Sequence, residues 1–384
     1  MLISELKGIA TNEFIEACIN RGIDKLTPPQ ELAVSAGILK RNNILVASPT
    51  ASGKTLIAEM AIIESVIRYG KKAVYVAPLR ALVSEKYDEF KSAYPYLKIA
   101  ISIGDLDSLD MWLEKYDIIL VSTEKLDSLI RHGAPWIKDV GCFVFDEVHM
   151  LGDPGRGSVL EILITKLRRI VPSAQIIALS ATVGNAKEIA EWLNAKIVKS
   201  NYRPVELKKG IVLDGKVYYR DEEEELSGKS KIAEIRIVED TLERGKQAII
   251  FYSTKRNAEA GAEKIGKIVE EYIKEEEKEE LRKIADKIKN VLSRPTAQCE
   301  KLAKNVEKGV AFHHSGLVNE QRKIVEDSFR NGKIKVVCST TTLSLGINMP
   351  AHTVVVRDTS RYSEMEGGEK LSGRSMTKRG GLCL

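Results

Sequence analysis

Eight consecutive residues, Ser48-Pro49-Thr50-Ala51-Ser52-Gly53-Lys54-Thr55, carry the first chemistry in this chain. They follow an apolar run, Asn43–Ala47, and precede a helical pattern, Leu56–Arg68, with apolar residues on one face. A loop that opens a helix aims backbone N–H groups at whatever sits above it, and phosphate oxygens suit that position. Lys54 has the length and charge to reach the β- and γ-phosphates of a nucleoside triphosphate, and the Thr55 hydroxyl can hold Mg²⁺. The phosphate-loop template begins with glycine, whereas Ser48 stands at that position, so the strict match is Gly53-Lys54-Thr55 alone. By itself that tripeptide is also a common turn; the strand before it and the helix after it carry the functional reading.

A second group, Asp146-Glu147-Val148-His149, directly follows the apolar run Cys142–Phe145. Adjacent acids at a strand's carboxyl end suit two tasks. Asp146 can hold Mg²⁺ through its water shell. Glu147 can orient and deprotonate an attacking water. His149 has no second histidine four residues on and is poorly suited to bind a metal. A strand end with two solvated acids is the bland alternative, and it loses ground because the phosphate loop comes earlier in the same chain. Ser180-Ala181-Thr182 ends a further apolar run, Gln175–Leu179; its hydroxyls can couple the phosphate site to another surface or simply cap a helix.

Something must bring these groups together. Short Val- and Ile-rich runs at 43–47, 73–77, 99–103, 117–121, 142–145 and 175–179 alternate with helical patterns, which predicts a parallel sheet covered on both faces, with ligands at the carboxyl ends of its strands. The pattern breaks at Asn201-Tyr202-Arg203-Pro204. The acidic run Asp221–Glu225 then reads as a solvated turn. Alternation resumes with runs at 248–252, 310–313, 335–338 and 353–356. The expectation is therefore an α/β chain of two tandem sheet domains, 1–200 and 201–384. The second carries a Lys/Glu-rich helical insertion at about 262–308 with a solvated, mixed-charge face.

The 384 residues allow two or three domains at roughly 150 each. Hydrophobic residues make up 43% and charged residues 29%, and mean hydropathy is −0.16, so the chain is globular rather than disordered. The formal charge of +5 is mild, and nucleic-acid affinity must come from local placement. None of the five cysteines (Cys18, Cys142, Cys299, Cys338, Cys383) lies in a CxxC pair, which argues against a disulfide framework or a zinc ribbon. No apolar run reaches the ~18 residues of a membrane span and no leader pattern opens the chain, so the expected location is cytoplasmic.

Taken in order, phosphate loop, DExH and Ser-Ala-Thr resemble the superfamily 2 DExH-box helicases, and further motifs extend the resemblance along the chain. Leu26-Thr27-Pro28-Pro29-Gln30 is similar to the Q-motif, whose glutamine reads adenine. Pro78-Leu79-Arg80-Ala81-Leu82 and Ser122-Thr123-Glu124-Lys125-Leu126 resemble motifs Ia and Ib. Phe251-Tyr252-Ser253-Thr254-Lys255 resembles motif IV, Phe312-His313-His314-Ser315-Gly316-Leu317 the motif after it, and the segment 339–350 motif V. The phosphate loop, Glu124-Lys125-Leu126-Asp127-Ser128-Leu129 and Tyr202-Arg203-Pro204 are most similar to the archaeal Hjm-type DNA helicases, 3′–5′ translocases acting at branched or stalled forks.

That resemblance implies two RecA-like domains working as a monomeric motor on single-stranded or branched DNA, with ATP and Mg²⁺ as cofactors and RNA as the alternative strand. It implies nucleotide contacts from Gln30, Ser48–Thr55, Gly346, Asn348 and Arg374. Coupling falls to His149, Ser180 and Thr182, and phosphate contacts with the strand to Arg80, Thr123 and Thr340. Of His313 and His314, one is expected to pack inward and the other to face the interdomain cleft, because neighbouring strand residues point to opposite faces.

The pattern departs from the family near its end. Motif VI requires Gln-x-x-Gly-Arg-x-Gly-Arg; here Lys370 replaces the glutamine, Arg374 fits the first arginine, and Thr377 stands where the second should be. That second arginine is the family's arginine finger, and its loss typically costs ~10³–10⁵ in kcat. Arg361–Lys370 also leaves little room for the strand-separating hairpin of the Hjm type. The glycine-rich ending reads as a truncated or frame-shifted product, cut after the second RecA-like domain. Three readings stand: a DNA helicase motor with impaired turnover, a nucleotide- and nucleic-acid-binding module without turnover, and an RNA helicase.

Overall fold

A computed structural model describes residues 1–104, 110–340, 343, 349–358, 360–361 and 369–370, the last four in backbone only. The chain divides into two compact units, Met1–Pro204 and Val205–Leu384.

The first unit runs α1 (Asn12–Asn20), α2 (Pro28–Ser35), β1 (Ile44–Ala47), α3 (Lys54–Ile63), β2 (Lys72–Ala77), α4 (Arg80–Ala93), β3 (Ile99–Ser102), β4 (Ile118–Ser122), α5 (Thr123–Arg131), β5 (Val140–Phe145), α6 (Gly157–Ile170), β6 (Gln175–Ser180), α7 (Ala186–Leu193) and β7 (Lys196–Lys199). Its seven strands form one parallel sheet in the order β3-β4-β2-β5-β6-β1-β7. The strands read as continuous apolar runs because both faces are covered. Along β1, Ile44 and Val46 join a core under α1–α4, while Leu45 joins the opposite core under α5–α7. β7 is the strand the sequence pattern misses: two exposed lysines flank its short run, and its pairing with β1 (Ile44↔Lys196) is what makes it a strand.

The second unit opens with an antiparallel meander, β8 (Ile211–Leu213), β9 (Lys216–Tyr218) and β10 (Glu223–Glu225). The acidic run is therefore part strand, not a turn. Two acids of the strand meet a cation: Glu223 lies 2.7 Å from Lys216 and Glu224 2.6 Å from Arg244, which eases the repulsion that disfavours such a strand. There follow α8 (Ala233–Glu243), β11 (Ala248–Phe251), α9 (Lys255–Val269), α10 (Glu275–Lys289), α11 (Ala297–Val306), β12 (Val310–His313), α12 (Asn319–Arg330), β13 (Val336–Ser339) and β14 (Thr353–Val356). Four of these strands form a parallel sheet ordered β12-β13-β11-β14. α10 buries Leu281, Ile284, Ala285 and Ile288, a helical stripe beneath its charged face. Finally β15 (Ser360–Arg361) pairs antiparallel with β16 (Glu369–Lys370).

Asp240 ties the meander to α8. It is 7% exposed, accepts from Ser227 N and Oγ (3.2 and 3.0 Å), and pairs with Arg244 Nε at 2.9 Å. Burial works to raise its carboxyl, but Arg244 and Ser227 outweigh that and hold it below the ordinary range. A depressed folded-state value contributes stability above the unfolded value of about 3.9 and loses it as pH falls through the folded one. Asp240→Asn should cost about 1–3 kcal/mol at pH 7. Urea midpoints at pH 7, 5 and 3.5 should show the gap to the wild type narrowing as pH drops; a constant gap would contradict this account.

Candidate functional site

β5, β6 and β1 are neighbours in the first sheet, so everything that follows their carboxyl ends is gathered along one edge. The loop after β1 is fixed from several sides. Ser48 N donates to Ser180 O of β6 (3.2 Å), and Ser48 Oγ meets Ser52 Oγ at 2.8 Å, both serines being fully buried. Two left-handed residues turn the chain into α3: Ala51 (φ 63°) and Gly53 (φ 89°). For a residue with a Cβ that conformation costs roughly 1–2 kcal/mol, which the surrounding bonds must offset. At Gly53 there is no room for a Cβ either, since it would lie 2.3 Å from Gln30 Nε2.

Gln30 explains that closeness. Its Nε2 donates to Gly53 O (3.0 Å), its Oε1 accepts from Thr27 N (2.8 Å), and Thr27 Oγ1 donates to Ser52 O (3.0 Å). The buried amide thus braces the loop through its carbonyls. Lys54, the first residue of α3, turns back over the same loop, with Nζ donating to Ser48 O (3.1 Å) and Pro49 O (3.0 Å). Pro49 is buried, Thr50 and Thr55 are half-buried, and Ala51 is exposed.

The acid pair sits one strand beyond β6. Asp146 N donates to Val76 O (2.8 Å), anchoring the end of β5 to β2. Asp146 is 8% exposed. Its Oδ2 accepts from Tyr75 Oη at 2.5 Å and its Oδ1 from Glu147 N at 2.9 Å. Glu147 adopts φ 54°, a left-handed turn in a bulky residue that aims its side chain differently from a strand continuation. His149 Nδ1 lies 3.0 Å from Glu147 Oε2, close enough for an ion pair though not aligned as a hydrogen bond.

Charge makes the two parts one site. Burial, then Glu147, pushes the Asp146 carboxyl up; Tyr75, Lys86 and Lys54 pull the other way. Burial also acts to raise Glu147, but His149, Lys54 and Lys86 prevail and hold it low. Burial draws the Lys54 ammonium down, against the two acids, while Arg203 and Lys86 add to the fall. Lys86, on α4, keeps its proton because Glu89 (2.7 Å), Glu85 and Asp146 outweigh its burial. Tyr75 and Lys86 are the participants that sequence reasoning missed. The available signal is a phenol inside the apolar run Val74–Ala77 and a lysine at a buried helix position.

The donor set suits a hard cation. The Thr55 hydroxyl and the Asp146 carboxylate are oxygen donors of the kind Mg²⁺ takes. Among the described residues no group of three or more His, Cys, Asp or Glu gathers.

The other expected residues are more scattered. Ser180 is fully buried and donates to Ala181 O (2.8 Å), whereas Thr182 is exposed. Arg80 is exposed at the start of α4, and Thr123, the first residue of α5, is buried. In the second unit Thr340 is buried, its N–H donating to His313 O (3.1 Å). Gly346, Asn348 and Arg374 lie outside the described residues, as does Cys383; the other four cysteines are buried. The neighbouring histidines of the second unit are enclosed. Both are fully buried, His313 against Glu326 (2.8 Å) and His314 against Glu259 (3.2 Å). His314 stands just past β12; its Nδ1 accepts from Gly316 N (3.1 Å), and its ring stacks on that of Phe312, two residues earlier, at 5.3 Å between centroids.

Comparison with known proteins adds to this geometry. Residues 27–189 match the DEAD/DEAH box helicase family and residues 269–376 the helicase conserved C-terminal domain. Proteins called ATP-dependent DNA helicase Hel308 are similar along the chain. That of Pyrococcus abyssi is 47% identical over 384 residues, covering 99% of this chain and 52% of its own length. That of Pyrococcus horikoshii is 47% identical, covering 91% and 47%. That of Methanococcus vannielii is 45% identical, covering 89% and 47%. The chain spans about half the length of these curated relatives. No helix among the described residues is long and apolar enough to cross a membrane.

Proposed function

The chain belongs to the superfamily 2 helicases, and from that premise we propose that it is the ATP-hydrolysing motor of a 3′–5′ DNA helicase acting on branched or stalled-fork DNA in repair and recombination. The family implies ATP and, typically, Mg²⁺. The observation that carries the reading is the convergence of Lys54 and the Asp146–Glu147 pair at the ends of β1 and β5, each shifting the other's proton affinity.

Lys54 and the N–H groups at the start of α3 bind phosphate oxygens. Thr55 and Asp146 would hold Mg²⁺, which neutralises charge developing on the phosphates when bound. Glu147, held ionised, takes a proton from the water that attacks the γ-phosphorus. Gln30 keeps the loop in shape and reads the adenine edge. Ser180, Thr182 and His149 transmit the state of this site, and Arg80, Thr123 and Thr340 contact the nucleic-acid backbone. Gly346, Asn348 and Arg374 complete the nucleotide contacts, and the chain works as a cytoplasmic monomer.

The name carried by the relatives, DNA helicase, favours DNA over RNA as the strand. The sequence departure at motif VI favours slow turnover and poor unwinding. Phosphate release from the 384-residue chain, measured alone, with single-stranded DNA and with RNA of the same length, tests both points. The expected result is slow release, raised more by DNA than by RNA. Nucleotide binding with no release under any condition would support a binding module instead, and greater stimulation by RNA an RNA helicase.

A further inference from the structure

We propose that Tyr75 is a positioning residue for the metal-binding carboxylate, fixing Asp146 through its phenol O–H so that the carboxylate meets a hydrated Mg²⁺ in one orientation. The proposal rests on the ATPase reading above and adds a residue to that site.

Strand register supplies the reach. Tyr75 on β2 stands opposite Val144 on β5, and Asp146 follows two residues later. Residues two apart share a face and are separated by roughly 7 Å along the strand. The phenol covers that span and ends at Asp146 Oδ2, 2.5 Å away. Tyr75 is fully buried, and its ring packs on Phe90 at 6.0 Å between centroids, with Phe90 in turn on Tyr94 at 6.2 Å. The ring therefore has little freedom to swing from the carboxylate. With Oδ1 bound by Glu147 N at 2.9 Å, both oxygens of Asp146 carry a fixed donor, and the carboxylate's rotation about its last bond is arrested. The hydrogen bond adds a side chain of β2 to the site, beside the main-chain bond from Asp146 N to Val76 O, whereas the phosphate loop, the acid pair and Ser180 come from β1, β5 and β6.

A buried tyrosine that merely satisfies its hydroxyl would look similar, and the two roles differ in what removal does. Partners that orient a metal-binding side chain typically contribute 10–100-fold in metal affinity or activity. The test uses the 384-residue chain, a fluorescent non-hydrolysable ATP analogue, and MgCl₂ titrated from an EDTA-treated start. Tyr75→Phe keeps the ring and its packing. It should leave metal-free analogue affinity within about twofold while raising the Mg²⁺ concentration for half-maximal tightening by about tenfold. In an Asp146→Asn background the same change should have no further effect on Mg²⁺ dependence, because the two residues act as one unit. An unchanged Mg²⁺ dependence in Tyr75→Phe, or equal effects with and without Asp146, overturns the proposal and leaves the ATPase reading standing. Failure of the wild-type chain to bind the analogue at all overturns the ATPase reading and this proposal with it.

Discussion

Lys54→Ala should lower turnover by about 10²–10³-fold and weaken nucleotide affinity by at least about tenfold. The ammonium is the one side-chain cation at the centre of the loop, held by the carbonyls of Ser48 and Pro49 and flanked by the acid pair. Methionine at the same position separates charge from bulk: it fills the space, and its effect should equal that of alanine if charge is what matters. Calorimetric titration with ATP and a phosphate-release assay on each variant check the two quantities. Tight binding and full turnover in Lys54→Ala would refute the phosphate role of this loop.

Glu147→Gln should separate binding from chemistry. The amide has the same shape but no base, so turnover should fall by about 10²–10⁴-fold while affinity for ATP changes little. Burial alone would tend to neutralise this carboxyl; His149, Lys54 and Lys86 keep it ionised at neutral pH. Single-turnover hydrolysis alongside equilibrium binding distinguishes the outcomes. Nucleic-acid-stimulated turnover that survives the substitution would remove Glu147 from the reaction. His149→Ala, by contrast, should reduce turnover more modestly, because it takes away one of several partners facing Glu147 and leaves the base itself in place.

Much of this site could be read before the structure. Local signals suffice where chemistry depends on consecutive residues: a loop that ends in Gly53-Lys54-Thr55, or two acids after an apolar strand. The strand ends lie within a few residues of their expected positions because continuous Val/Ile runs admit few alternatives. What escaped depends on pairing across the sheet. Tyr75 reaches Asp146 through the β2–β5 register, a separation of 71 residues that no local pattern encodes. The strand Glu223–Glu225 forms because cations from β9 and α8 oppose it. His314 meets Glu259 across a separation of 55 residues, which no local pattern encodes either.

β6 lies between β5 and β1 and is hydrogen-bonded along its length to both. Its terminal carbonyl, at Ser180, also takes the first N–H of the phosphate loop. Any displacement of one reactive segment relative to the other must therefore shear the strand between them. That strand acts as a stiff strut, and the residues at its tip, Ser180 and Thr182, stand where such a shear would be amplified first.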